Sequence, residues 1–231
     1  MANILNIETS SKICSVALSK DGVVEFLMED TSGMNHATKL APFVEKCMEE
    51  LKRKEEILDA VAVSLGPGSY TGLRIGLSLA KGLAYSLDIP LIGISTLQLL
   101  AVKTMFRSMD WEGDEIIVPM VDARRMEVFT GAFNFSLEEI IKECPLILDE
   151  DSFKSLYAYR KVIFLGDGSD KFKEIYGSDN AEWLGSLLPH AKDMLALSEK
   201  YFREKRFINV AYSTPNYLKE YQTTVPKNKV F

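Results

Sequence analysis

From Ile4 to Met28 apolar and polar residues alternate in short runs. After His36 the apolar positions shift to helical spacing. Ile4–Glu8, Cys14–Ser19 and Val23–Met28 are predicted strands, with Asp21-Gly22 as the hairpin turn between the second and third. Ala37, Leu40, Val44, Cys47, Met48 and Leu51 predict a helix from His36 to Lys54, which Pro42 should start late or kink. A buried strand at Ala60–Leu65 and a long apolar helix at Leu73–Leu87 follow, then a strand at Pro90–Ser95 and a helix at Leu97–Arg107. The polar stretch from Met109 to Glu115 reads as a boundary. Beyond it come a strand pair, Ile116–Asp122 and Met126–Phe133, a strand at Val162–Leu165, a helix at Lys192–Arg206 and a patternless tail from Gln222 to Phe231. The order βββαβα suits an α/β fold.

The most informative stretch joins the buried strand to the apolar helix: Gly66-Pro67-Gly68-Ser69-Tyr70-Thr71-Gly72-Leu73-Arg74-Ile75-Gly76. Glycine and proline here mark a tight strand-to-helix turn. Such a turn can aim backbone N–H groups at an anion, or let another backbone come close. A Walker A loop would need Lys and Ser/Thr after Gly72, where Leu73 and Arg74 stand. A dinucleotide fingerprint would need glycine at Thr71. Neither motif is present.

The run GPGSYTGLRIGLSLAKGLA resembles the hallmark of the TsaB (YeaZ) family. Ile4-Leu5-Asn6-Ile7-Glu8-Thr9-Ser10 is similar to that family's opening strand and turn, and Asn35-His36-Ala37 through Leu40-Ala41-Pro42 to its first helix. Val121-Asp122-Ala123-Arg124-Arg125-Met126-Glu127-Val128-Phe129, Gly166-Asp167-Gly168 and Pro215-Asn216-Tyr217-Leu218 also fall where family members have similar residues. The resemblance covers nearly the whole chain and is denser up to Phe133. It implies an actin-like (ASKHA, ribonuclease-H-like) fold: an N-terminal lobe over 1–108 carrying the partner-binding helices, and a smaller, degenerate C-terminal lobe over 109–231. It further implies a non-catalytic subunit of the machinery that makes threonylcarbamoyladenosine in tRNA. The chain would scaffold and activate the catalytic TsaD subunit, which transfers the threonylcarbamoyl group to N6 of adenosine, with the ATPase TsaE as a third partner. tRNA would be met only through the complex.

Composition is that of an ordinary globular protein: 231 residues, 47% hydrophobic and 26% charged. No apolar run is long enough for a transmembrane helix, the start has no basic signal-like region, and Cys14, Cys47 and Cys144 read as reduced thiols. A cytoplasmic location is expected. The net charge of −6 argues against strong RNA binding by the chain alone, leaving local basic patches at Arg124 and Arg125 or at Lys227 and Lys229.

Candidate chemistry is sparse. The two histidines are His36 and His190, and four residues after His36 stands Leu40, so the resemblance implies that the metal-binding histidine pair of the catalytic paralogue TsaD is missing from the matching helix. No metal and no catalytic residue is expected. Glu8, Thr9 and Ser10 read either as an actin-like phosphate and Mg²⁺ contact or as turn caps; with Gly68, Ser69 and Arg74 they form the candidate nucleotide junction. No cofactor is expected on the isolated chain, with ATP and Mg²⁺ reserved for the complex. Ser69 lacks the Gly-x-Ser-x-Gly elbow of a serine hydrolase. On the apolar helix only Arg74, Ser78, Lys81 and Tyr85 make a polar stripe, while Gly72, Gly76, Ala80 and Ala84 recur at every fourth position. That pattern fits either close packing on the protein's own sheet or a partner helix. The resemblance favours the partner, giving His36, Leu40, Val44, Gly72, Leu73, Gly76, Leu79, Ala80 and Leu83 as the expected interface, a face that also admits self-pairing. The alternatives are an actin-like ATPase or a glycoprotease-like peptidase acting alone.

Overall fold

The computed structural model describes residues 2–33, 35–107 and 111–219. The expected tail from Gln222 lies outside the described residues. The first sheet is built from β1 (Asn3–Glu8), β2 (Cys14–Lys20), β3 (Val23–Asp30), β4 (Ala60–Gly66) and β5 (Leu91–Ser95), in the order β3-β2-β1-β4-β5. β1 sits at the centre, antiparallel to β2 and parallel to β4, and every one of its residues is buried. The second sheet contains β6 (Ile116–Asp122), β7 (Glu127–Phe133), β8 (Glu139–Ile147), β9 (Val162–Leu165) and β10 (Ala181–Trp183), in the order β10-β9-β6-β7-β8.

The two sheets have the same topology. β6, like β1, is antiparallel to the strand that follows it and parallel to the first strand after the hairpins. The connections differ. In the first half α1 (His36–Arg53) and α2 (Tyr70–Leu87) link the strands, whereas at the matching places in the second half stand single 3₁₀ turns, Lys154–Leu156 and Ser169–Lys171. This shortening makes the second lobe small. Its core is instead filled by aromatic rings, with Trp183 stacked on Phe164 at 4.6 Å and Phe153, Phe172 and Tyr176 packed around them.

α1 and α2 pack on one face of the first sheet through Leu40, Val44, Cys47, Leu77 and Ala80. α3 (Thr96–Met105) and α4 (Leu195–Arg203) cover the other face. α3 is buried on two sides, because Leu97, Leu100 and Ala101 also pack against Ile117, Phe133 and Leu165 of the second sheet. Pro42 does not interrupt α1. It lies on the exposed face, where the carbonyl that loses its amide partner can meet water.

After α4 the chain returns as an irregular strap. Ile208 N–H donates to the Leu91 carbonyl at 2.9 Å, Lys81 Nζ donates to the Ala211 and Ser213 carbonyls, and Asn216 N–H donates to Leu65. The strap ends on the second lobe, where Lys219 pairs with Glu127 at 2.8 Å. It thus runs from the edge of β5 past α2 to β7.

Candidate functional site

The end of β1 and the start of α2 are locked together by contacts that require glycine. Ser69 N–H donates to the Ser10 carbonyl at 2.6 Å, and Thr9 Oγ1 donates to the Gly72 carbonyl at 2.9 Å. A Cβ on Gly68 would lie 2.2 Å from the Ser10 carbonyl oxygen, and one on Gly72 2.1 Å from the Thr9 carbonyl oxygen. One turn further, a Cβ on Gly76 would meet Thr9 Oγ1 at 2.2 Å. The Ser69 hydroxyl accepts from Gly72 N–H and caps α2. The glycines therefore serve a backbone-on-backbone contact inside the chain.

Glu8 lies beneath this contact and is fully buried. Its Oε1 accepts from Ser10 N–H at 2.5 Å, while Oε2 closes no hydrogen bond among the described residues. The buried hydroxyls of Ser10, Ser64 and Thr96 likewise close none. Burial is the main cause that pushes the Glu8 carboxyl up to about 7; the Ser10 amide opposes the rise, and Asp193 adds to it.

Ser10, Gly68, Ser69 and Thr96 form one wall of a cleft of about 630 Å³ between the lobes, and Asp122, Arg124, Phe129 and Asp167 form the facing wall. The second lobe repeats the glycine device. A Cβ on Gly166 would lie 2.2 Å from the Met120 carbonyl oxygen, and Gly168 N–H donates to that same carbonyl at 3.0 Å. Asp122 accepts from Arg124 N–H at 2.7 Å and pairs with Lys171, and its own N–H donates to Asp167. Arg124 and Arg125 both adopt left-handed backbone, φ 70° and 52°, which costs about 1 kcal/mol or more per residue without glycine.

Glu8, Thr9, Ser10, Gly68 and Ser69 thus come together at one point. Arg74 does not join them; its guanidinium donates to the Tyr70 hydroxyl at 2.7 Å, and Tyr70 stacks on Tyr217 of the strap at 5.0 Å. His36, Leu40, Val44, Gly72, Leu73, Gly76 and Ala80 are buried within the chain, and only Leu79 and Leu83 reach the surface, half-buried. The spacing of small residues gave their periodicity but not their direction, and Thr9 sets that direction inward. His36 Nε2 is 3.2 Å from the Ile13 carbonyl, and His190 Nδ1 is 2.6 Å from Glu29, so neither histidine serves Ser69. Among the described residues no three His, Cys, Asp or Glu side chains gather in a metal-binding group. The strap contacts at Lys81, Asn216 and Lys219 were missed, because an irregular segment held by backbone hydrogen bonds carries no hydropathy signal.

A protein of Bacillus subtilis named tRNA threonylcarbamoyladenosine biosynthesis protein TsaB is 31% identical over 94% of this chain and 93% of its own length. The chain belongs to the TsaB (YeaZ) family. The Escherichia coli TsaB is 29% identical over 94% of both chains. A family model described as TsaD, tRNA N6-adenosine threonylcarbamoyltransferase, matches residues 29–227 of this TsaB-family chain. A Pseudomonas aeruginosa structure, described as an uncharacterized protein with similarity to peptidase YEAZ, superimposes with a TM-score of 0.80 at 27% identity over 95% of this chain and all of that one. The fold is the actin-like, ASKHA type, with the second lobe reduced as described.

Proposed function

We propose that this chain is a non-catalytic subunit of the threonylcarbamoyladenosine machinery, and that it binds and activates the catalytic TsaD subunit. The names of its relatives, matched over nearly the full length of both chains, support the pathway. The observation that carries the accessory role is the filled glycine-rich loop. A glycine-rich strand-to-helix turn can aim backbone N–H groups at a phosphate; here Thr9 and Ser10 of the chain itself occupy the close-approach positions at Gly68, Gly72 and Gly76. Binding could then bias the partner toward its competent conformation through differential contacts. ATP with Mg²⁺ belongs to the assembled complex, TsaE is the third component, and the location is cytoplasmic. Among the described residues no helix is long and apolar enough to cross a membrane.

The partner surface is the outer side of α2, where Leu79 and Leu83 flank Gly82. Gly82 has no atom within 4 Å of its missing Cβ, so it is open in the isolated chain. Gly82→Leu should leave the melting temperature of the chain unchanged or higher, because it replaces a helical glycine. It should weaken binding to purified TsaD at least tenfold by calorimetry, since a new side chain would stand between the helices. Unchanged affinity would remove α2 from the interface.

A further inference from the structure

Across the cleft mouth the two lobes present cations without an ion-pair partner among the described residues. The hairpin tip between β6 and β7 carries Arg124 and Arg125 on consecutive residues, both exposed and both in left-handed backbone. Asp122 fixes this tip through the Arg124 amide, not through the guanidinium. The acids that flank the tip in sequence have partners: Asp122 is paired with Lys171, and Glu127 with Lys219. Among the described residues neither arginine side chain has an ion-pair or hydrogen-bond partner. On the opposite lip Lys12, which also lines the cleft, has none either. These charges stand out on a chain whose net charge is −6.

Resting on the proposed role in tRNA modification, we infer that Arg124, Arg125 and Lys12 form a contact surface for the phosphodiester backbone of the tRNA substrate. Guanidinium forks match phosphate oxygens, and their affinity is electrostatic and independent of sequence. A mononucleotide inside the cleft would set its charge beside Asp122 and Asp167, which line the same wall. A backbone running along the rim offers separate phosphates to the cations on both lips and avoids those carboxylates. Ser11 and Thr71 add hydroxyl donors to the rim. A patch of three cations is too small to hold RNA by itself, which agrees with the acidic composition. It would act as an added contact once the catalytic subunit has engaged the tRNA.

The test is a reconstituted modification reaction with purified TsaD, TsaE and threonylcarbamoyl-AMP, run with unmodified tRNA transcript at several salt concentrations. Arg124→Ala/Arg125→Ala should raise the KM for tRNA about tenfold or more and flatten the plot of log kcat/KM against log salt by about 1.4, roughly 0.7 for each lost phosphate contact. Arg124→Lys/Arg125→Lys, which keeps the charge, should retain most of the salt slope. Unchanged KM for tRNA with an unchanged slope would overturn the inference and leave the proposed function standing. A variant that altered only the ATP dependence would also overturn it, in favour of a nucleotide phosphate. Wild-type chain giving no modification at all would instead defeat the functional reading on which this rests.

Discussion

Replacing Glu8 with glutamine should make the protein about 3 kcal/mol more stable at pH 8 and abolish most of the stability change between pH 4.5 and 7, at about 1.4 kcal/mol per unit of pKa shift. An acidic side chain usually stabilises a fold in its charged form. Glu8 does the reverse, because it is buried at the strand end with Oε2 unpartnered. Below pH 4.5 both the folded and the unfolded chain hold its proton. Between 4.5 and about 7 only the folded chain does, so the unfolded state binds fewer protons and stability falls as pH rises. Above 7 both states are ionised and the loss is complete. The neutral carboxyl can donate to a neighbouring hydroxyl, which a carboxylate cannot, and the glutamine amide keeps that ability at every pH. Urea unfolding followed by circular dichroism at pH 5, 6, 7 and 8 measures this for both proteins. The difference between the two curves isolates Glu8 from other titrating groups. A difference that stays flat with pH, or a glutamine variant less stable at pH 8, would show that the buried carboxylate is solvated or paired in a way this structure does not contain.

Gly72→Ala should destabilise the fold by about 3 kcal/mol and lower the melting temperature by roughly 10 °C. On helix propensity alone the change would gain about 1 kcal/mol. The new methyl, however, would sit 2.1 Å from the Thr9 carbonyl oxygen, and that oxygen belongs to the fully buried end of the central strand. Either α2 moves out, breaking the Thr9 to Gly72 hydrogen bond, or the end of β1 shifts and takes Glu8 with it. Gly82→Ala is the matched control. It lies ten residues along the same helix with open space around it, and should raise the melting temperature by about 3 °C. Opposite signs in calorimetric scans of the two variants would locate the close contact. Equal stabilisation by both would mean that Thr9 does not press on α2.

Much of the first lobe was legible because its strands and helices carry clear apolar periodicity. β1, β2, β4 and β5 read as strands, and α1 runs from His36 although Pro42 was expected to start it late or kink it. The second sheet was harder. β8 is an edge strand that alternates exposed and half-buried residues and includes Glu139, Lys142, Glu143 and Pro145, while β10 has only three residues. Neither reaches the hydrophobic density on which strand prediction depends. The shared topology of the two sheets showed in the sequence only as a possible echo between the halves, because the helices that would have announced it are 3₁₀ turns. α4 was placed too early and too long, since the preceding turn, Ala191–Met194, continues the apolar spacing without being α-helical.

The sequence marked the glycine-rich loop but left open which way the small residues of α2 face. Gly72, Gly76, Ala80 and Ala84 give a clear periodicity, yet small residues do not say which side of a helix is buried. That depended on Thr9 and Ser10, more than fifty positions away in sequence. Glu8 was read either as a turn cap or as a phosphate and Mg²⁺ contact, and in the structure it accepts from Ser10 N–H. Its complete burial was not readable, because nothing local distinguishes a buried carboxylate from an exposed one. Arg124 and Arg125 looked like an ordinary basic pair until the hairpin fixed both in left-handed backbone beside acids already paired elsewhere.

The central claim is that this chain contributes structure, not chemistry, to tRNA modification. The most direct measurement is formation of N6-threonylcarbamoyladenosine by purified TsaD and TsaE, supplied with threonylcarbamoyl-AMP and unmodified tRNA, with and without this chain. Modification that depends on adding the chain, and that persists when Glu8→Gln and Ser69→Ala are introduced together, is the expected result. Full activity without the chain, or loss of activity in that double variant while TsaD binding is retained, would contradict it.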